Sequence, residues 1–282
     1  MRLTDVMRQG RWHVLLLLLA GCAPPASNAA LPSIRVLVYN IHAGKDASGV
    51  DNLERVAEVV RESGADVAML QEVDRRTRRS GNVDQVARLA SLTGFRAAFG
   101  KTLDYQGGEY GIAILSRRSI RSDTLLRLPV NPPQERSGAG YEPRGALRAT
   151  ILTSLGEVRV LNTHIDPSRE DFYRLQEARE LVRIGRALQA DGSTVLLGGD
   201  LNSEPESAVM AIFAASGWKD GWRCGNGNGF SYPAKLPVKR IDYLLLPLEV
   251  RCRTARVIES QASDHLPVLY EIETVARSRD RT

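Results

Sequence analysis

The stretch at residues 194–202, TVLLGGDLN, limits this chain more than any other. Its first four residues form a short apolar run, the kind that fills a buried strand. Gly198 and Gly199 follow, and their missing Cβ atoms let the backbone approach whatever lies at the strand end. Asp200 and Asn202 come next, one residue apart, so an extended backbone would project both to the same side. A carboxylate can orient or deprotonate a water, and an amide can bond a phosphate oxygen or steady that water. A strand ending in an ordinary polar turn would read the same way, so the rest of the chain has to decide.

The same construction recurs. Residues 34–39 (IRVLVY) lead into Asn40 and His42, and residues 67–70 lead into Gln71 and Glu72. A carboxylate at the end of a buried strand is costly unless it pairs with an arginine or binds a cation. Residues 112–115 form a further apolar run. Strands are expected at 146–152, just after Glu142, Pro143 and Arg144, and at 158–161, just before Asn162, Thr163 and His164. Residues 243–246 follow Asp242, and residues 268–272 follow Ser263, Asp264 and His265. Between these runs the apolar period is helical over 51–63, with Asp51 as cap and Gly64 as stop, and over 83–93 and 170–190. Pro205 is placed to start a short helix reaching 216. Residues 125–141 are rich in proline and glycine and read as a long loop. The glycines of 225–229 lack the strand-loop-helix setting of a phosphate cradle. Residues 74–80 (DRRTRRS) read as a solvated loop that would attract phosphate if it lay beside a site.

Hydrophobic residues make up 43% and charged residues 25%, ordinary for a globular chain, and no internal repeat divides it. The formal charge of +5 suits a phosphate-bearing substrate without requiring nucleic acid. The first residues read as an address. Arg2, Arg8 and Arg11 precede an apolar run at 14–20, which is shorter than the roughly 20 residues a membrane span needs. LAGC at 19–22 resembles the lipobox of bacterial lipoproteins, which implies cleavage before Cys22 and a lipid on its thiol; the alternative is an ordinary signal peptide cut nearer Ala29 and Ala30. The expected plan is a signal at 1–21, a tether at 22–33, one catalytic domain at 34–273 and a polar tail at 274–282. The chain would then reside in the bacterial cell envelope, facing outside the cytoplasm, as a monomer held to the membrane by its lipid. With Cys22 acylated, Cys224 and Cys252 remain, and export favours a disulfide between them over two free thiols.

Asn40, Glu72, Arg144, His164, Asp200, Asn202, Asp242, Asp264 and His265 therefore all fall at or beside the ends of separate strands. Such ends converge at one edge of a layered sheet structure. Their oxygen-rich chemistry favours Mg²⁺ or Mn²⁺ over Zn²⁺.

Taken in order, Asn40, Gln71-Glu72, Asn162-Thr163-His164, Gly199-Asp200-Leu201-Asn202, Ile241-Asp242-Tyr243 and Ser263-Asp264-His265 resemble the motifs of the endonuclease/exonuclease/phosphatase superfamily. The resemblance covers about residues 34–273. It implies a four-layered α/β sandwich, two mixed sheets packed face to face with helices outside. It also implies roles. Glu72, Asn40 and Asp264 would hold the cation, while Asp200 and Asn202 would activate water. Asp242 would hold His265, which would bind the phosphate or move a proton, and His164 and Arg144 would contact phosphate oxygens. Some members carry Asp where this chain has His42, which removes one potential metal contact. The implied activity is hydrolysis of phosphoesters, above all phosphodiesters, by in-line attack of water. The substrate is left between nucleic acid and a phospholipid head group, with a catalytically silent binding protein on the same fold as a further alternative.

Overall fold

A computed structural model describes residues 31–133 and 142–275. In chain order these residues form β1 (Ser33–Asn40), α1 (Leu53–Glu62), β2 (Val67–Arg75), α2 (Gln85–Thr93), β3 (Arg96–Tyr105), β4 (Gly108–Ser116), β5 (Ile120–Leu128), β6 (Arg144–Thr153) and β7 (Gly156–His164). They continue as α3 (Phe172–Gln189), β8 (Thr194–Asp200), α4 (Ala208–Ala215), β9 (Lys219–Asp220), β10 (Asp242–Leu246), β11 (Val250–Val257) and β12 (Val268–Thr274). Two six-stranded sheets result, ordered β11-β12-β1-β2-β4-β3 and β5-β6-β7-β8-β10-β9. Each is mixed, with one parallel pair: β1 with β2, and β7 with β8. A parallel pair needs a long crossover. The segment containing α1 and the segment containing α3 supply the two crossovers.

Period-two alternation sorts the core. Val36 and Val38 of β1 face the second sheet, in one cluster with Leu147, Val160, Leu196 and Leu244. Leu37 and Tyr39, one residue out of phase, pack with Val56 and Val60 of α1 and Leu89 of α2. On the far side, Leu161 and Leu197 pack with Leu181 of α3 and Phe213 of α4. Helix, sheet, sheet and helix make four layers, the arrangement that the family resemblance implies. Central strands covered on both faces need continuous apolar runs, which is why they were legible.

The strands not anticipated from sequence are β3, β5, β9 and β11, and these are the four sheet edges. Edge strands need no unbroken apolar run, and β5 is largely exposed. It takes residues 125–128 out of the expected long loop; residues 134–141 lie outside the described part. Two helix starts also shift. Asp51 bridges to Lys45 instead of capping, and α1 begins at Leu53. The helix after Pro205 begins only at Ala208, where the Ser207 side chain accepts the Met210 N–H. β1 and β12 each extend one residue past the expected domain limits. The signal, Cys22, the body of the tether and most of the tail lie outside the described residues. Among the described residues no helix is long and apolar enough to cross a membrane.

A pair of buried amides bridges the apolar interface between the sheets. Gln71 Nε2 donates to Asn162 Oδ1 at 2.6 Å, and Asn162 Nδ2 donates to the carbonyls of Leu70 and Ala113, both at 2.9 Å. Both side chains are fully buried. Replacing Asn162 with Leu strands two carbonyls and one amide in a dry interface. We expect a loss of about 2–5 kcal/mol in urea denaturation; an unshifted midpoint would contradict this role.

Cys224 and Cys252 are joined as a disulfide, with Cα atoms 5.8 Å apart and a sequence separation of 28. The bond ties the short turn after β9 to edge strand β11. On the loop-closure account it is worth about 3–4 kcal/mol. The double Cys→Ser variant should lose about that much, and the wild type should lose it under reductant. A wild type whose stability ignores reductant would argue against the bond.

Candidate active site

Register builds the first half of the site. His164 pairs with Asp200 across β7 and β8, and Asp200 pairs with Asp242 across β8 and β10. Three functional side chains thus stand in one row on adjacent strands. Gly199 permits the row: its φ is +137°, and a Cβ there would lie 1.9 Å from the Thr163 carbonyl oxygen. Only glycine fits so close an approach. Asn202 reaches the site differently from the expected strand alternation. It lies beyond β8 at φ +43°. Its N–H donates to Asp200 Oδ1 at 2.9 Å, and its Nδ2 donates to the Ile165 carbonyl at 3.1 Å.

A bulge builds the second half. Leu70 pairs with Ala113 and Val73 with Gly111, so Gln71 and Glu72 together stand against one residue of β4. Glu72 sits inside β2, not at its end, in the left-handed region at φ +56°. Bulges of this kind re-aim a side chain. Here Glu72 meets the end of β1, where Asn40 Nδ2 lies 3.1 Å from Glu72 Oε1 and 3.0 Å from Asp200 Oδ2. One amide nitrogen therefore lies between two carboxylates from different sheets. Ser263 Oγ donates to the Asn40 carbonyl at 2.8 Å, which brings the segment carrying Asp264 and His265 against the same strand end. His42 Nδ1 lies 3.8 Å from Asp264 Oδ1.

Asp242 and His265 form a buried pair, Oδ2 to Nδ1 at 2.9 Å. Ser231 Oγ donates to the same Asp242 oxygen at 2.6 Å, and the Tyr232 ring packs 4.7 Å from the imidazole. The other imidazole nitrogen faces Asp200 Oδ2 at 3.7 Å, with His164 Nε2 at 3.6 Å from that oxygen. Burial pushes Asp200 well above the usual carboxylate range, and the charge of Asp242 pushes it further. Burial alone would lower His265, but the charge and hydrogen bond of Asp242 outweigh it and hold the imidazole up at about 10.

Glu72, His164, Asp200, Asn202, Tyr232, Asp264 and His265 line one cavity of about 770 Å³, together with Arg144, Glu142 and Tyr110, while Asn40 and Asp242 are buried behind these residues. Arg144 is buried, and its Nη1 meets Glu142 Oε1 at 2.7 Å. Behind it Glu177, buried, accepts the Asp166 N–H and is pushed up to about 8, chiefly by burial. Arg79 lies over Tyr105 and Tyr110 and holds buried Asp74 through two bonds of 2.8 Å. Its neighbours Arg75 and Arg76 pair with Glu109 and Asp84. The arginine run expected to attract phosphate is thus largely matched by carboxylates of this chain.

The structure brings Asn40, Glu72, Arg144, His164, Asp200, Asn202, Asp242, Asp264 and His265 to one edge of the two sheets. Cys22 lies outside the described residues. Sequence reasoning did not single out Ser231, Tyr110, Glu142 or Glu177. Ser231, eleven residues before its partner Asp242, carried no local signal. Glu142 stands two residues from its partner Arg144, whereas the surroundings of Tyr110 and Glu177 are set by long-range packing.

The sequence profile of the Endonuclease/Exonuclease/phosphatase family matches residues 37–265. The chain belongs to this family. It is also similar to an inositol phosphosphingolipids phospholipase C of Schizosaccharomyces pombe, 24% identical over 203 residues, which are 68% of this chain and 46% of that protein. The chain thus spans about half the length of that curated relative. Among solved structures, an endonuclease/exonuclease/phosphatase from Beutenbergia cavernae superposes with a TM-score of 0.72 at 24% identity, over 86% of this chain and 72% of that one. A mannosyl-6-phosphatase from Bacteroides thetaiotaomicron superposes with a TM-score of 0.69 at 17% identity, over 86% of this chain and all of that one. Both likenesses concern the fold.

The residues present suit a metal ion. Ligand atoms of buried Asp200, Asp242 and His265 lie within 4.8 Å of one another. Asp242 Oδ2 is already bonded to the imidazole, whereas Glu72 and Asp200 converge on a single amide N–H₂. Oxygen donors gathered this way match a hard divalent cation.

The His265 pair makes a signed pH prediction. A histidine whose pKa rises from 6.5 to about 10 on folding contributes stability fully below pH 6.5, and loses it as pH climbs through 10. Asp242→Asn should therefore cost about 2–5 kcal/mol at pH 6, and the gap to wild type should close by pH 10.5. A gap independent of pH would contradict the ion pair.

Proposed function

We propose that this chain is a divalent-metal-dependent hydrolase of phosphodiesters that acts on phospholipid head groups, exported and held by a lipid on Cys22 at the outer side of a bacterial membrane. The observation that carries the chemistry is the meeting, around one cavity, of Glu72 and Asn40 from one sheet with Asp200 and Asp242 from the other, with His265, from the segment before β12, paired to Asp242. Glu72, Asn40 and Asp264 would hold Mg²⁺ or Mn²⁺, and a bound cation supplies Lewis-acid stabilisation of charge on the phosphoryl oxygens. Asp200, whose proton affinity is raised by burial, takes the proton of the attacking water, which Asn202 helps to orient. His265, kept cationic by Asp242, faces the developing negative charge. His164 and Arg144 bind the remaining phosphate oxygens.

Two observations favour a lipid head group over nucleic acid. The curated relative carries the name of a phospholipase C acting on inositol phosphosphingolipids. The arginines that would have gripped a nucleic-acid backbone are mostly paired within the chain. The disulfide supports an oxidising compartment.

Purified full-length protein with Mg²⁺ should release head groups from sphingolipid or glycerophospholipid vesicles. EDTA should abolish the activity, and Asp200→Asn should lower it by about 10²–10⁴. Plasmid DNA and phosphomonoesters serve as parallel substrates. Cleavage of DNA alone replaces the head-group reading with a nuclease, and full turnover after exhaustive chelation removes the metal.

A further inference from the structure

Of the four arginines that line the cavity, three already have a carboxylate. Arg79 holds Asp74, Arg174 holds Asp171, and Arg144 holds Glu142. The first two belong to the scaffold. Asp74 is fully buried, and Arg174 is bound up in its own loop through the carbonyls of Asp166 and Ser168. Glu142 is different, because both it and Arg144 line the same cavity as Asp200 and His265. Its charge and that of Glu72 both act on the buried Tyr110 hydroxyl, so the two carboxylates stand within electrostatic reach of one point.

We propose that Glu142 sets the charge of the phosphate this cavity accepts. By sitting on Arg144 it keeps that guanidinium from offering a full uncompensated charge. A phosphodiester carries one negative charge, whereas a phosphomonoester near neutral pH carries close to two. The second charge gains less at an Arg144 already matched by Glu142, and it meets the Glu142 carboxylate in the same cavity. Glu142 thus selects singly charged diesters and turns away doubly charged monoesters, although the same fold occurs in a mannosyl-6-phosphatase. This rests on the reading of the cavity as a phosphohydrolase site, and it assigns specificity to a residue outside the reacting centre.

The test is a ratio. kcat/KM is measured for bis(4-nitrophenyl) phosphate and for 4-nitrophenyl phosphate at pH 8 with saturating Mg²⁺. The proteins are wild type, Glu142→Gln, Glu142→Asp and, as a control in the same cavity, Glu204→Gln. Removing one negative charge from the cavity lining should raise the monoester-to-diester ratio by about tenfold in Glu142→Gln. Glu142→Asp, which keeps the charge, should stay near wild type, as should Glu204→Gln. In parallel, calorimetry compares inorganic phosphate with dimethyl phosphate, and the same variant should favour phosphate by a similar factor. An unchanged ratio in Glu142→Gln, or an equal rise in Glu204→Gln, overturns the proposal. If no protein turns over either ester, the phosphohydrolase reading fails, and the calorimetric ratio still decides the role of Glu142.

Discussion

The arrangement depends on one buried contact, the amide bridge between Gln71 and Asn162. Apolar packing between two sheets is non-directional, and Val, Leu and Ile faces tolerate sliding. A hydrogen-bonded amide in a dry interface does not, since each stranded group costs about 1–3 kcal/mol. Gln71 immediately precedes the bulge residue Glu72, and Asn162 lies two residues before His164. The bridge is therefore a ruler between the two halves of the site. It fixes the sheets at the setting that brings the Asn40–Glu72 corner onto Asp200.

Around that bridge the backbone is used in ways that cost stability. Glu72 and Asn202 both occupy the left-handed region, uncommon for residues with a side chain and most unusual for Glu. Asp200 and Asp242 stand opposite each other on neighbouring strands, a like-charge pairing that a sheet selected for stability alone would avoid. Each cost is met locally. Asn40 donates to Glu72 and Asp200, the Asn202 N–H caps Asp200, and His265 and Ser231 share Asp242. Part of the backbone strain thus falls at the candidate site, and the packed sheets hold it there.

Legibility in the sequence followed burial. β1, β2, β7, β8 and β10 are covered on both faces, so they must be apolar throughout and announce themselves. The edges β3, β5, β9 and β11 carry no such demand and went unseen. The site residues were legible because each polar group ends or interrupts an apolar run. The bulge at Glu72 was not, because it is defined by a partner strand some forty residues away. The arginines of 75–79 were overvalued for the same reason: Glu109, which answers Arg75, belongs to β4. Gln71 and Asn162 were legible as letters of a motif but not as a bridge, since nothing local says that two amides from different sheets will meet.

The buried electrostatics also explain why this edge suits hydrolysis of a phosphoester. Glu72, Asp200 and Asp242 are gathered where water is scarce, and isolated carboxylates there would simply take up protons. Asp200 moves part of the way in that direction. Asp242 instead keeps a cationic imidazole, because a carboxylate and an imidazolium at 2.9 Å stabilise each other far more in a buried site than in water. The result is a division of labour between two like groups one strand apart. One carboxylate, with raised proton affinity, is free to take a proton. The other is committed to holding a positive charge over the same cavity. In the hydrolysis proposed for this site, water attacking phosphorus needs both at once, a base for its proton and a cation for the oxygen charge that builds as it arrives, and the antiparallel register of β8 and β10 sets the two carboxylates side by side.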